Sequence, residues 1–262
     1  MPAVGVVVPT IGERPQYLET TLKSIRNAGN SYIVLVGRQG FDASPYQKLG
    51  LVDLYVDEEE TSVPKKINQG FRALPENIEY ITWLGDDDLL SPGSLDIATS
   101  ALDKPEKPVL VFGHCQYIDS DGKDVLVKRS GSWAVPLLRF GPQLIPQPSA
   151  FFRRDAFERV GGLSDRFQFA FDFDLFLKLS KSGKAVFVDQ ILSSHRWHKT
   201  SLTYSRRWES VKEASHVRVS NMPAAIRVLS FLWEYPVMAI TYLAGELLSN
   251  NLVAKLKTRA SR

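Results

Sequence analysis

EYITWLGDDDLLSPGSL, residues 79–95, decides the fold. Residues 79–84 form a short β-branched and aromatic run that reads as a strand buried in a sheet. Three consecutive aspartates, Asp86, Asp87 and Asp88, follow at once, and Ser91-Pro92 then open a helix near 93–102. A buried strand that ends in carboxylates and turns into a helix is one unit of an open α/β sheet, in which ligands bind outside the carboxyl ends of the strands. Three adjacent carboxylates repel one another and demand a cation or a basic partner. Hard cations such as Mg²⁺ and Mn²⁺ take carboxylate oxygens and share coordination with substrate phosphates. The competing reading makes the aspartates caps for the helix that starts near Ser91.

On either side of this stretch the same alternation continues. VGVVV (4–8), YIVLV (32–36) and LVDLYV (51–56) read as further strands. Leu18, Leu22 and Ile25 recur at helical spacing, as do Val63, Ile67, Gly70, Phe71 and Leu74 within 63–74. Beyond the aspartates come a strand at 109–114, a turn at 118–123 and an irregular segment at 133–148. A short helix at 153–160, ended by Gly161-Gly162, a helix at 172–182 and a last strand at 185–188 follow. The pattern predicts a doubly wound, mostly parallel sheet flanked by helices.

Composition narrows the function classes. The 262 residues are 44% hydrophobic and 23% charged, which suits one α/β domain with an appendage, or two small ones. A net charge of +3 is too small an excess to argue for nucleic acid, and the basic residues are spread along the chain outside its tail. The single cysteine, Cys115, excludes an intramolecular disulfide and fits a reducing cytoplasm. MPAVGVVVPT has no basic segment before its apolar run and reads as a first strand, not a signal peptide.

Two further clusters carry candidate chemistry. Asp172 and Asp174 stand among aromatic and apolar residues, so burial would raise a carboxylate pKa and suit it to act as a base; alternatively Asp172 caps the helix it precedes. In SSHRWHKTS (193–201), His198 is a candidate for a metal or a phosphate oxygen and Arg196 for a phosphate, against a purely structural role for the histidines. There is no GxGxxG after the first strand, no P-loop and no G-x-S-x-G elbow.

The C-terminal part differs in kind. VLSFLWEYPVMAITYLAGELL (228–248) is long enough to span a bilayer, but Glu234, Pro236 and Glu246 interrupt it, and the tail carries Lys255, Lys257, Arg259 and Arg262 without an acid. Two readings stand: an interfacial segment with a basic flank, or helices packed on the domain or on a second copy of the chain.

Taken together, four segments resemble the family 2 glycosyltransferases, over about residues 4–205 by the span of those segments. VVVPTIGERPQYLETTLKSI (6–25) is similar to the family's opening strand, loop and helix. VPKKINQGFRAL (63–74) with EYITWLGDDDLLSPGSL is similar to the central segment that ends in the metal-binding acidic motif. IPQPSAFFRRDAFERVGGLSDRF (145–167) with FDFDLFLKLSKSG (171–183) is similar to the acceptor-side segment with the catalytic base, and HRWHKTSLT (195–203) to the closing segment. The resemblance implies a GT-A fold: a Rossmann-like sheet over 1–205, divided into a nucleotide-sugar half (1–115) and an acceptor half (116–205), with a helical extension over 206–262.

It also implies roles. Pro9, Thr10, Glu13 and Arg14 lie at the nucleotide end of the first strand, and Lys66 and Asn68 line the nucleotide and pyrophosphate pocket. Asp86, Asp87 and Asp88 hold a Mn²⁺ or Mg²⁺ ion that neutralises the diphosphate, and His198 completes that site. Asp172 deprotonates the acceptor hydroxyl. Two departures stand out. Gly85 replaces the aspartate that usually opens the acidic motif, and Gly37-Arg38-Gln39-Gly40 replaces the paired aspartates after the second strand, which leaves Arg38 to contact the base. The implied reaction is transfer from a nucleoside-diphosphate sugar to a saccharide or lipid-linked acceptor with inversion, at the cytoplasmic face of the plasma membrane. The C-terminal segment would supply membrane contact or a homodimer. A sugar nucleotidyltransferase and a degenerate GT-A scaffold are the alternatives.

Overall fold

The computed structural model describes residues 3–58, 62–197 and 206–260, with 248–260 as backbone alone. The first half alternates as the sequence predicts, with one short helix, Ser44–Lys48, that it does not predict: β1 (Val4–Pro9), α1 (Pro15–Ala28), β2 (Ser31–Arg38), α2 (Ser44–Lys48), β3 (Leu54–Glu58), α3 (Val63–Arg72) and β4 (Tyr80–Trp83). After the acidic loop come β5 (Leu89–Leu90), α4 (Ser94–Leu102), β6 (Leu110–Ile118), β7 (Asp124–Lys128), α5 (Ala134–Leu137), β8 (Ala150–Arg153), α6 (Arg154–Arg159), α7 (Phe171–Ser182) and β9 (Ala185–Arg196).

The strands order as β3-β2-β1-β4-β8-β6-β9-β5, with β7 paired to β6. β1 pairs in parallel with β2 and β4, β2 with β3, and β6 with β9, while β8 enters antiparallel between β4 and β6. Because β8 reverses twice, β6 and β9 run in the direction of β4, and all three deliver their carboxyl ends to one rim.

Burial on both faces explains the strand sequences. In β1, Val7 joins an apolar cluster with Ile67, Phe71, Trp83 and Phe152, while Val6 and Val8 join Leu18, Leu22, Ile33 and Leu35 on the other face. α3 lies so close to β1 that a Cβ at Gly70 would stand 2.5 Å from Val7 Cγ1, which only glycine avoids. Phe71 then meets Phe157 edge-on at 4.9 Å and Phe152 at 6.0 Å between ring centres, which fixes α3 to the second half of the chain.

Three helices close the described chain: Arg207–Ser220, Ala224–Arg227 and Phe231–Ala260. The first packs against α7 and the last against the first. Arg218, 1% exposed, and Glu234, 5% exposed, form a buried ion pair at 2.8 Å between them. The long helix runs through Pro236, and no helix among the described residues is long and apolar enough to cross a membrane.

Candidate active site

The acidic loop leaves β4 at the shared rim, and each aspartate takes a different partner. Thr10, just past β1, donates from Oγ1 to Asp86 Oδ2 at 2.6 Å and accepts the Gly12 N–H at 3.0 Å. Burial pushes the Asp86 carboxyl above the usual range; the Thr10 bond opposes this and Asp87 adds to it. The Asp87 carboxylate pairs through Oδ2 with the Arg14 guanidinium at the start of α1. Asp88 Oδ1 accepts the Arg196 backbone N–H at 2.9 Å and lies 3.0 Å from His195 Nδ1, both at the end of β9. Burial alone would lower the His195 pKa, but Asp88 overrides it and holds the imidazole above its usual value.

The aspartates therefore do not cap the following helix. α4 begins at Ser94 behind Gly93, which has φ 72° and provides no side-chain cap. Gly85 has a positive part in this arrangement. A Cβ there would stand 3.2 Å from Asp87 Oδ1 and 3.2 Å from Asp88 Oδ2. Each of these two carboxylates thus has one oxygen bound to a basic or N–H partner and turns the other toward the bare Cα of residue 85. Two carboxylate oxygens converging on a gap suit a hard divalent cation. No group of three His, Cys, Asp or Glu side chains among the described residues encloses such an ion, and His198, the expected further ligand, lies outside the described residues.

Arg196, expected to meet a phosphate, is held by the protein itself. It is 4% exposed, donates to the carbonyl oxygens of Asp87 (3.0 Å), Asp119 (3.0 Å) and Ser120 (3.1 Å), and lies 4.4 Å over the Tyr17 ring. All these partners belong to the protein, so Arg196 welds the acidic loop to the β6–β7 turn. Asn68 likewise serves the scaffold: its amide donates to Leu163 O at 2.8 Å and accepts the Leu163 N–H at 3.0 Å. That clamp ties α3 to the loop after Gly161-Gly162, and both ends of the amide are engaged away from the acidic loop.

The other expected donor contacts stand at the rim. Pro9 ends β1, Glu13 is exposed in the loop before α1, and Arg38 ends β2 opposite Glu58, exposed. Lys66 is 5% exposed on α3, and no group among the described residues accepts a hydrogen bond from its ammonium.

Asp172 lies in the first turn of α7, not at its cap, which is Ala170. Its Oδ1 accepts the Phe173 N–H at 2.7 Å and its Oδ2 accepts from Gln143 Nε2 at 2.7 Å. Burial raises its pKa, and Gln143, the Phe173 N–H and Lys128 each hold that rise in check. Asp174, the other candidate, is 4% exposed and ion-paired with Lys178 at 2.6 Å, so it belongs to the helix packing. Trp83 at the end of β4 lies 6.2 Å from Phe171, and Gln147 Nε2 donates to Trp83 O at 2.8 Å. These contacts bring the start of α7 to the strand that carries the aspartates. Gln143, Gln147, Tyr17 and Lys128 were not singled out in the sequence: isolated polar residues in irregular or weakly alternating segments give no periodic signal.

No family model matches the chain. Over 133 residues it is 31% identical to the O-antigen biosynthesis protein RfbC of Myxococcus xanthus, covering 48% of this chain and 10% of that protein. Over 211 residues it is 21% identical to an uncharacterised glycosyltransferase of Rickettsia felis, covering 75% of this chain and 34% of the relative. The chain thus spans about a tenth of the one and about a third of the other. Among solved structures, the mannosyltransferase PcManGT of Pyrobaculum calidifontis, in complex with GDP-Man and Mn²⁺, superposes with a TM-score of 0.62 at 18% identity, covering 99% of this chain and 80% of that one. TarS of S. aureus (residues 1–349) gives 0.61 at 13% identity, covering 89% and 71%. GalNAc-T7 with UDP, GalNAc and Mn²⁺ gives 0.57 at 16% identity, covering 83% and 47%. The fold is that of the GT-A glycosyltransferases, and one of the two sequence relatives is itself named a glycosyltransferase.

Proposed function

We propose that this chain is an inverting glycosyltransferase that moves a sugar from a nucleoside-diphosphate donor to an acceptor hydroxyl in cell-surface polysaccharide or glycolipid assembly. The observation that carries the reading is the convergence of Asp87 Oδ1 and Asp88 Oδ2 on Gly85, at the carboxyl end of a central strand of a GT-A fold. Asp87 and Asp88, with His198, would hold Mn²⁺ or Mg²⁺, which supplies positive charge against the departing diphosphate. Arg14 and the buried Lys66 add fixed cations on the donor side. Pro9, Thr10, Glu13 and Arg38 border the nucleotide, with Thr10 also fixing Asp86. Arg196 and Asn68 position the walls.

Asp172 acts as the base. Its raised pKa keeps it basic enough to take the acceptor proton, and Gln143 and the Phe173 N–H orient it. The acceptor oxygen attacks the anomeric carbon from the face opposite the leaving group, so one displacement inverts the configuration. The test is a thermal-shift panel of UDP, GDP, dTDP and CDP, each with Mn²⁺, Mg²⁺ or EDTA, followed by turnover of Asp172→Asn. One nucleotide stabilising the fold only with metal, and a variant that binds it but does not turn over, is the expected result. No response to any nucleotide overturns the reading, and release of pyrophosphate in place of nucleoside diphosphate would favour a nucleotidyltransferase.

The extension over 206–262 is proposed to rest on an anionic membrane surface. On its long helix the acids are paired, Glu234 with Arg218 and Glu246 with Arg207, while Phe231, Leu232, Tyr235, Ile240, Leu243 and Leu247 are each more than half exposed. An apolar surface without free acids and with a basic tail suits the inner face of the plasma membrane. Co-sedimentation with phosphatidylglycerol vesicles but not with phosphatidylcholine vesicles is expected. A dimer in solution with no vesicle binding would assign the surface to a second copy.

A further inference from the structure

The acceptor half holds a cavity of about 570 Å³ between α7 and the helix Arg207–Ser220, bordered by Arg166 and Phe167 from the loop before α7. None of Asp86, Asp87, Asp88 or Asp172 lines it.

Its acids are already engaged. Glu213 accepts the backbone N–H groups of Gln168 (3.0 Å), Phe169 (2.6 Å) and Ala170 (3.0 Å). Asp174 is paired with Lys178 at 2.6 Å and accepts from Asn221 Nδ2 at 3.2 Å. Its other cations are not so engaged. Neither Arg166 nor Lys212 has a carboxylate partner among the described residues; Lys212 stands 5.5 Å over the Trp208 ring. His216 meets the Phe167 ring at 5.9 Å, and the hydroxyls of Ser164 and Ser220 complete a polar wall.

We propose that this cavity binds an anionic saccharide unit, a sugar bearing a phosphate or a carboxylate. On the transferase reading above, this unit is the part of the acceptor beyond the reacting hydroxyl. A guanidinium and an ammonium with no internal counter-ion match such a group, and the guanidinium binds it through two parallel bonds. The Ser164 and Ser220 hydroxyls match the sugar's own hydroxyls. The volume lies within the range of small-ligand sites. Glu213 links the cavity to the chemistry, because the three N–H groups it holds immediately precede the turn that carries Asp172. An occupied cavity would thereby steady the base as the acceptor docks.

The test titrates the full chain, by calorimetry, with glucose 6-phosphate, glucuronic acid, glucose and inorganic phosphate. Wild type is compared with the Arg166→Ala/Lys212→Ala double variant, its Arg166→Lys/Lys212→Arg counterpart and Asp87→Asn. Binding of the anionic sugars that weakens about tenfold or more in the alanine variant, equivalent to about 1.4 kcal/mol, survives in the charge-preserving variant and is unchanged in Asp87→Asn is the expected result. Absent binding, equal binding in the alanine variant, or loss in Asp87→Asn would each overturn the proposal. Inorganic phosphate binding as well as glucose 6-phosphate would overturn its saccharide part. None of these readings depends on turnover or on nucleotide, so failure of the transferase reading would show separately, in the nucleotide panel.

Discussion

The Arg196 backbone N–H donates to Asp88 Oδ1 at 2.9 Å and joins residues 108 positions apart. With His195 Nδ1 on the same oxygen, it fastens the end of β9 to the acidic loop. Asp88 thus has a structural duty that Asp87, with its side chain 15% exposed and facing Arg14, does not share. Asp88→Ala should cost about 1–3 kcal/mol for the donors it leaves unsatisfied. Asp87→Asn should shift stability by about 1 kcal/mol or less, as for a pair nearer the surface, while abolishing metal-dependent nucleotide binding. Urea unfolding and thermal shift, run side by side on the two variants, check the division.

Gln143 favours the ionised form of Asp172, so its removal has a defined sign. The acid limb of kcat/KM should lie above the usual aspartate range, because burial raises the Asp172 pKa. Gln143→Leu should move that limb to still higher pH. An unmoved limb would mean that Asp172 does not control the rate.

His195 gives stability a pH dependence of opposite cause. Its folded pKa is raised above the value of 6.5 that it takes unfolded, because Asp88 outweighs burial. The protonated imidazole therefore contributes stability that is fully present below about pH 6.5 and is lost as pH rises through the folded value. The Tm in metal-free buffer should fall over that interval, and His195→Gln should flatten the curve.

Phe152 stands between Phe71, Trp83 and Phe157 and is fully buried. Phe152→Ala should cost about 3–5 kcal/mol. Since β8 is the bridge between β4 and β6, the loss should also weaken donor binding, which a parallel measurement of nucleotide affinity would show.

Strands buried on both faces were legible because the chain writes them as unbroken apolar runs, as in β1 and β2. β8 was not: its four residues, AFFR, run straight into a helix and carry no alternation of their own. The second half of β9 was hidden for another reason. Ser193, Ser194 and His195 look like a loop, yet Ser193 is fully buried and hydrogen-bonded to Ser149. The candidate site was legible in residue type and hidden in its division of labour. Asp86, Asp87 and Asp88 announce themselves by adjacency, but their partners arrive from 76, 73 and 108 positions away. Asn68 and Arg196 fit a donor pocket by type, and only tertiary distances reveal them as clamps.

The pairing of β9 with β6 changes offset along its length. Leu110 faces Ala185 and Cys115 faces Ser193, so the offset grows from 75 to 78 and β9 holds three extra residues. An odd insertion exchanges the two faces of a strand relative to its neighbour. The bulge is therefore a parity element: it decides which face of the sheet carries the His195 imidazole that meets Asp88. Deleting one residue from it would leave composition and strand length nearly untouched and yet turn the His195 imidazole to the face away from Asp88. Removing two would keep it in phase. Length changes in this bulge should therefore be tolerated only in steps of two, a constraint imposed by counting and not by the chemistry of any residue within it.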